Sequence, residues 1–409
     1  MKFSDFQISS DLKKQLDVMG FKRPTDIQFK AIGHILQGED VMAVAQTGTG
    51  KTAAFAIPTL HLIQSKKKKY SRTSGISCLV MVPTRELAKQ IAGVYREIGK
   101  NTGVVSFGLY GGVEQEQQIR TLNNGIDILI CTPGRMFDLI SQGALDLSRV
   151  EFLVLDEADL MLDLGFAKDI EDVLKHIPRK RQTLFFSATI TKKIKELDYD
   201  VVRNAIRINI SPNNPVARNI DHAVIMVEMD DKRFFLENII KEYPDKKLVV
   251  FVRTKVRAER VVSAMERVKI HSEVLHGGIE QKDRFAILDR FRSSENKVLI
   301  TTDVAARGID IPNVDYVINY DIPDVAENYV HRCGRTGRGN NRGQALSFCS
   351  ESEKPLLDEI ATYTGEDIEV YEITKGEYFA ILDDTDNESN DWQSLIKKEN
   401  DFLGNEDEW

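Results

Sequence analysis

Two series of short apolar, β-rich runs constrain this chain more than any other feature. The first series falls at residues 40–45, 77–82, 126–131, 152–155 and 182–186, and the second at 247–252, 271–275, 298–302, 316–319 and 343–348. Helical patterns separate successive runs. Continuous apolar runs rather than alternating ones mark strands buried on both faces, and helices between them provide the crossovers that a parallel sheet requires. Between the series, residues 209–217 include Ser211-Pro212-Asn213-Asn214-Pro215, whose prolines and asparagines break both helix and strand and suit a short exposed linker. The expectation is an α/β protein with a first domain at 1–208, a linker at 209–217 and a second domain at 218–377.

From about Tyr378 the pattern fades. Residues 378–409 are expected to form an acidic, disordered tail, in which Trp392, Leu395, Ile396, Phe402 and Leu403 recur at partly helical spacing. That spacing suits either a frayed chain end or a short helix that docks a protein partner. The tail also divides the charge. The whole chain carries −8, but residues 366–409 hold 15 acidic and 3 basic side chains, leaving the body at +4. A mildly basic body is compatible with a polyanionic partner without requiring one.

Other classes are set aside on composition. The start of the chain lacks a basic stretch followed by an apolar run, so no signal peptide is expected. No apolar segment approaches the roughly 20 residues that span a bilayer. A cytoplasmic monomer without membrane contact is expected. Cys78, Cys131, Cys333 and Cys349 stand far apart, which suits reduced, buried thiols rather than a zinc or redox pair. The run Lys66–Lys69 with Arg72, between a helix and a strand, reads as a solvated loop.

Ala45-Gln46-Thr47-Gly48-Thr49-Gly50-Lys51-Thr52 follows an apolar run and opens a helical pattern, the context that a phosphate-binding loop needs. Gly48 and Gly50 allow the backbone to curl its N–H groups inward, and the helix start adds a positive dipole end. Lys51 suits the β- and γ-phosphates, and the Thr52 hydroxyl suits Mg²⁺. Ala45 stands where the general pattern has glycine. Downstream, Asp156-Glu157-Ala158-Asp159 ends a buried-strand pattern, the sheet edge at which ligand sites gather. Asp156 suits the metal, and Glu157 suits orientation and deprotonation of an attacking water. The two motifs together point to hydrolysis of a nucleoside triphosphate.

With these residues in place, the chain resembles the DEAD-box ATP-dependent RNA helicases over about residues 3–350. The tetrad spells the family name, and the Ala45 departure fits the family loop. Phe3 and Gly20–Gln28 resemble the family's Q motif. Through that match Phe21, Thr25 and Gln28 are expected at the adenine, because a Gln amide offers a donor and an acceptor together and an aromatic ring stacks on a base. Pro83-Thr84-Arg85, Gly111-Gly112 and Thr132-Pro133-Gly134-Arg135 resemble the first domain's RNA-backbone motifs. Ser187-Ala188-Thr189 resembles the motif that couples hydrolysis to strand separation, with Ser187 and Thr189 as the coupling residues.

In the second domain Arg253-Thr254, Gly277 with Gln281 and Arg284, and Thr302-Asp303 resemble RNA-facing segments. By the same match Gly308 and Asp310 belong to the nucleotide, and Arg335 and Arg338 are arginine fingers. The resemblance implies two tandem RecA-like domains, each a mostly parallel sheet flanked by helices. It further implies ATP and Mg²⁺ as cofactors, largely sequence-independent RNA binding, and a site completed when the domains close. Rival readings are an ATP-dependent RNA clamp, a DNA helicase on the same core, and a phosphate-loop ATPase with a protein partner.

Overall fold

The computed structural model describes residues 2–383 except 47, 71–74, 190–193, 195–200, 203–204, 211–218, 310, 312–313, 338–341, 366–367 and 372. Two compact units divide near residues 213 and 214. The first contains strands β1 (Val41–Val44), β2 (Cys78–Met81), β3 (Ser106–Leu109), β4 (Ile128–Cys131), β5 (Phe152–Leu155), β6 (Gln182–Ser187) and β7 (Ile206–Asn209). They form one sheet in the order β3-β4-β2-β5-β6-β1-β7, with every pairing parallel.

Alternation along each strand divides the core of this unit in two. Val80, Ile130, Val154 and Phe186 face one layer, with Phe55, Ile57 and Leu60 of the helix Lys51–Tyr70. Their neighbours Leu79, Met81, Leu129, Leu155 and Phe185 face the other, with Met136, Met161 and Ile170. A strand whose successive side chains are both buried has no polar face to show, which is why the apolar runs are unbroken.

The second unit repeats the plan with β8 (Ile220–Met226), β9 (Leu248–Val252), β10 (Glu273–Leu275), β11 (Val298–Thr302), β12 (Tyr316–Asn319), β13 (Gly343–Cys349) and β14 (Glu369–Tyr371). Their order is β10-β11-β9-β12-β13-β8-β14, again parallel throughout. Ile225, Val250, Ile300, Ile318 and Phe348 pack on Phe235, Leu236 and Val261.

Three expectations change. Asn209 pairs with Val44 at the end of β7, and the Ile210 N–H donates to the Val44 carbonyl at 2.9 Å, so the first sheet takes in the start of the supposed linker. At the other end, the helix Lys375–Asp383 runs past residue 377. Tyr378 anchors it: its ring lies 5.2 Å from Phe235, and its hydroxyl donates to Asp231 at 2.7 Å. Residues 384–409, with most of the expected tail, lie outside the described residues, as do 211–217 of the linker.

Lys66–Lys69 are likewise not a solvated loop. They occupy the last turns of the helix Lys51–Tyr70, where positive charge suits the carbonyl end of the dipole. Lys66 pairs with Glu151, Lys67 with Asp127 at 2.8 Å and Lys68 with Asp11 at 2.9 Å. Arg72 lies outside the described residues. All four cysteines are free and buried. Among the described residues no helix is long and apolar enough to cross a membrane.

Candidate active site and nucleic-acid interface

Because every strand of the first sheet is parallel, all its C-terminal ends lie on one edge, and the expected residues gather there. Beyond β1, Ala45 continues the pairing by donating its N–H to the Ser187 carbonyl at 3.0 Å. The loop then turns through Gly48 (φ 82°) and Gly50 (φ 91°), left-handed conformations that glycine adopts without a steric penalty. The Thr49 hydroxyl donates to the Gln46 carbonyl at 2.7 Å. Lys51 starts the helix, is only 7% exposed, and donates from Nζ to the Ala45 carbonyl at 2.9 Å. Its ammonium is thereby held over the loop. Thr52 follows, half-buried. Thr47 lies outside the described residues.

Gln28 is built into this loop. It closes a capping box with Thr25 at the start of the helix Asp26–Leu36, its Oε1 accepting the Thr25 N–H at 3.0 Å. Its Nε2 donates to the Gly50 carbonyl at 3.1 Å. A Cβ on Gly50 would collide with that same amide nitrogen. Phe21 meets the edge of Phe3, ring centroids 5.6 Å apart. The aromatic pair therefore borders the segment that leads into Thr25 and Gln28.

Asp156 directly follows β5, is 3% exposed and accepts the Glu157 N–H at 3.0 Å. Burial pushes its carboxyl above the usual carboxylate range, against the pull of Lys51. A buried carboxylate in that state gains from a cation. Among the described residues no three His, Cys, Asp or Glu side chains form a metal cage. One carboxylate and one hydroxyl, Asp156 and Thr52, fit Mg²⁺, which keeps waters and phosphate oxygens for its remaining positions. Glu157 adopts φ 52° and ψ 49°, a left-handed conformation uncommon outside glycine.

The last acid of the tetrad is the residue that sequence reasoning left unassigned. Asp159 Oδ2 accepts the Ala188 N–H at 2.9 Å, the Thr189 N–H at 3.0 Å and the Thr189 hydroxyl at 3.2 Å. The Ser187 hydroxyl donates to the Thr189 carbonyl at 2.8 Å. The tetrad and the turn after β6 are thus one hydrogen-bonded unit. The repeated acid in the tetrad was the only available signal, because its partners lie some thirty residues away.

Further along the same edge, Thr84 caps the helix Arg85–Ile98 behind β2, and Pro133 opens the helix Pro133–Ser141 behind β4. Strands β2 and β4 are paired, so both helices start at the same C-terminal edge of the sheet, one packing on each face, and a helix N-terminus suits an anion. The Arg85 guanidinium lies 3.4–3.7 Å from where a Gly111 Cβ would stand. Gly112 has φ 76°. Arg135 donates to Gln118 Oε1 at 2.6 Å and the Val113 carbonyl at 3.3 Å. Thr132 is buried, whereas Arg85, Gly112 and Gly134 are exposed.

The second unit has its own C-terminal edge. Thr254 caps the helix Lys255–Arg267 after β9. Arg253 is internally engaged, reaching Glu353 at 2.8 Å, the Ile322 carbonyl at 3.0 Å and Asp324 at 3.0 Å. After β10, His276 Nδ1 accepts the Gly278 N–H at 3.0 Å, which shapes the turn containing Gly277. Gln281, starting the helix Gln281–Ser293, is buried. Arg284 ties that turn to the segment after β11, donating to the carbonyls of His276 at 3.0 Å and Ala305 at 3.4 Å. Thr302 ends β11, and the Asp303 carboxylate grips Arg332. Gly308 has φ 69°. Arg335 is 5% exposed. Asp310 and Arg338 lie outside the described residues.

Residues 25–197 match the family model for DEAD/DEAH box helicases, and residues 231–340 match the helicase conserved C-terminal domain. The ATP-dependent RNA helicase DbpA of Bacillus subtilis is 36% identical over 406 residues, covering 97% of this chain and 83% of the relative. The ATP-dependent RNA helicase RhlB of Shewanella frigidimarina is 40% identical over 387 residues, covering 94% and 88%. Among solved structures, S. cerevisiae Dbp5 bound to RNA and ADP BeF3 aligns with a TM-score of 0.82 at 28% identity, covering 98% of this chain and 99% of that one. The DEAD-box helicase Mss116 bound to ssRNA and UDP-BeF aligns at 0.81 and 28%, covering 94% and 82%. The chain belongs to the DEAD/DEAH box helicases. Within that class it is a DEAD-box member of the ATP-dependent RNA helicases.

Proposed function

We propose that this chain hydrolyses ATP to remodel RNA locally, with each site residue in the role its position suits. The observation that carries this reading is the junction at Asp159. One carboxylate joins the tetrad to the Ser187–Thr189 turn, on the same sheet edge as the phosphate loop and the N-termini of the helices after β2 and β4. In this reading the nucleotide and the RNA backbone are handled by neighbouring ends of a single sheet.

Gly48–Thr52 wraps the phosphates, and Lys51 moves from the Ala45 carbonyl to the β- and γ-phosphates. Thr52 and Asp156 would hold Mg²⁺, which would supply positive charge to the phosphate oxygens. Glu157 accepts the proton of the attacking water. Gln28 and Thr25 read the adenine edge with Phe21 against the base. Their existing bonds to one another and to Gly50 then make loop geometry depend on the base.

RNA phosphates take the N–H groups of Thr84 and Arg85 and that of Gly134 at the helix Pro133 opens, with Arg85, Arg135, Gly111 and Gly112 alongside. In the second domain they take the turns at Thr254, Gly277 and Thr302. Contacts of this kind carry little sequence information. Arg335 and Arg338 complete the ATP site from the second domain, Asp310 and Gly308 join the nucleotide, and finger arginines are worth about 10³–10⁵ in rate. Cytoplasmic action as a monomer and a protein partner for the acidic tail belong to the same proposal.

Glu157→Gln tests the centre of it. The variant should bind ATP and RNA normally while turnover falls by about 10²-fold or more. Turnover near that of the wild type would remove the general-base role. A strand-displacement assay on the parent protein, run beside RNA-stimulated ATPase, separates remodelling from clamping.

A further inference from the structure

Arg332 is among the largest fully buried side chains in the molecule, 1% exposed, and nothing above gives it a function. Its backbone belongs to one region of the second domain and its guanidinium to another. The backbone ends the helix Ala326–Cys333, and the Arg335 N–H donates to the Arg332 carbonyl at 3.0 Å. The turn that follows is pinned beside the N-terminal end of β12, where the Thr336 hydroxyl donates to the carbonyls of Val314 at 2.7 Å and Asp315 at 3.1 Å.

The guanidinium reaches the other edge of the sheet. Nε and Nη2 form a two-pronged pair with Asp303 at 2.5 and 2.6 Å, just beyond β11. Nη1 donates to the Asp321 carbonyl at 2.7 Å and Asn319 Oδ1 at 3.3 Å, at the end of β12. Its Cζ lies 5.2 Å from the centre of the Phe251 ring in β9. The Asp321 carboxylate in turn accepts the Arg253 N–H at 3.0 Å and pairs with Arg257 at 2.7 Å. One planar cation therefore locks the ends of three adjacent strands to the turn that holds Arg335.

We propose that Arg332 is a positioning residue that fixes Arg335 relative to Thr302, so that RNA seated beyond β11 sets the placement of the finger. Any buried guanidinium must satisfy its remaining donors, but here the partners come from three strand ends: Asp303 after β11, Asn319 and Asp321 at the end of β12, and Phe251 in β9, which suits a part that holds several elements in one register. Only a planar fork can do this, because a lysine ammonium cannot make the paired Asp303 contact and reach Asp321 together. The proposal rests on the roles assigned above to Thr302 and Arg335.

The test is RNA-stimulated ATPase of the full chain in Arg332→Lys, measuring turnover at saturating RNA and the RNA concentration for half-stimulation. Arg335→Ala and Thr302→Ala serve as references. Arg335→Ala should show its main loss in turnover, and Thr302→Ala its main change in half-stimulation. Arg332→Lys should change both, each by about tenfold or more. A merely structural residue would instead lower the melting temperature, or the active fraction, with half-stimulation unmoved, and that result overturns the proposal. If Arg332→Lys does not fold, Asp303→Glu keeps the charge, displaces the fork, and should show the same joint change. Normal turnover in Arg335→Ala would overturn the finger reading and this proposal together. That outcome differs from failure of the Arg332 role alone, in which Arg335→Ala is inactive and Arg332→Lys is intact.

Discussion

At the scale of single residues, Asp156 carries a conflict between stability and chemistry. Burial raises its carboxyl above the ordinary range although Lys51 draws it down. Between the unfolded value and that raised value the folded state binds more protons than the unfolded one, so the contribution to stability falls as pH rises through the window. At neutral pH, above the unfolded value, burying this carboxyl counts against folding. Asp156→Asn should therefore melt at a higher temperature than the parent at pH 7 while losing ATP turnover. The advantage should shrink as pH falls and vanish below about 4, the ordinary Asp value, where the carboxyl becomes protonated in both states of the parent. Thermal melts of both proteins across that range decide it, and equal melting temperatures at pH 7 would reject the account. Lys51, Asp156 and Glu157 were legible in the sequence because their neighbours along the chain define them. Asp159 and Arg332 were not, because their partners Thr189 and Asp303 arrive from other strand ends.

At the scale of elements, what could be read depended on burial. Strands β1, β2, β4, β5, β9, β11 and β12 are buried at every position and appeared as unbroken apolar runs. Strands β3, β7 and β14 stand at sheet edges, carry part-exposed residues and lack that signature. In β8, Asp221 and His222 interrupt the run. The turn after the helix Ala326–Cys333 also has a steric requirement that its residue types only suggest. Gly337 has φ 64°, and its Cβ would stand 2.6 Å from Ile220 Cγ1. Gly343, opening β13, lies so near the Gly337 N–H and Thr336 that any Cβ there would overlap both. Gly343→Ala should cost about 2–3 kcal/mol. Urea unfolding of the second domain measures this, and a change under about 0.5 kcal/mol would show that the turn yields freely.

At the scale of the molecule, each unit has its own seven-stranded sheet and its own core. Two domains were legible because the apolar series repeats. The exact limits were not, since β7 and the helix Lys375–Asp383 are held by contacts that local composition does not announce. Residues 1–210 and 219–383, produced separately, should each unfold in one cooperative transition. The first piece should bind ATP, and neither piece alone should reach RNA-stimulated turnover. A first piece as active as the whole chain would show that the second domain supplies nothing to the chemistry.

The four buried cysteines have a practical side. Burial raises the thiols of Cys78 and Cys333 to about 12 and that of Cys349 to about 11, and pushes Cys131 up as well. A thiol reacts as its thiolate, and at neutral pH these have almost none. A cysteine introduced on the surface of either domain would take up a dye while the native four stay dark. The wild-type background is thus already suited to optical rulers, which can ask whether ATP and RNA change the spacing of the domains without first stripping the protein of its own sulfur.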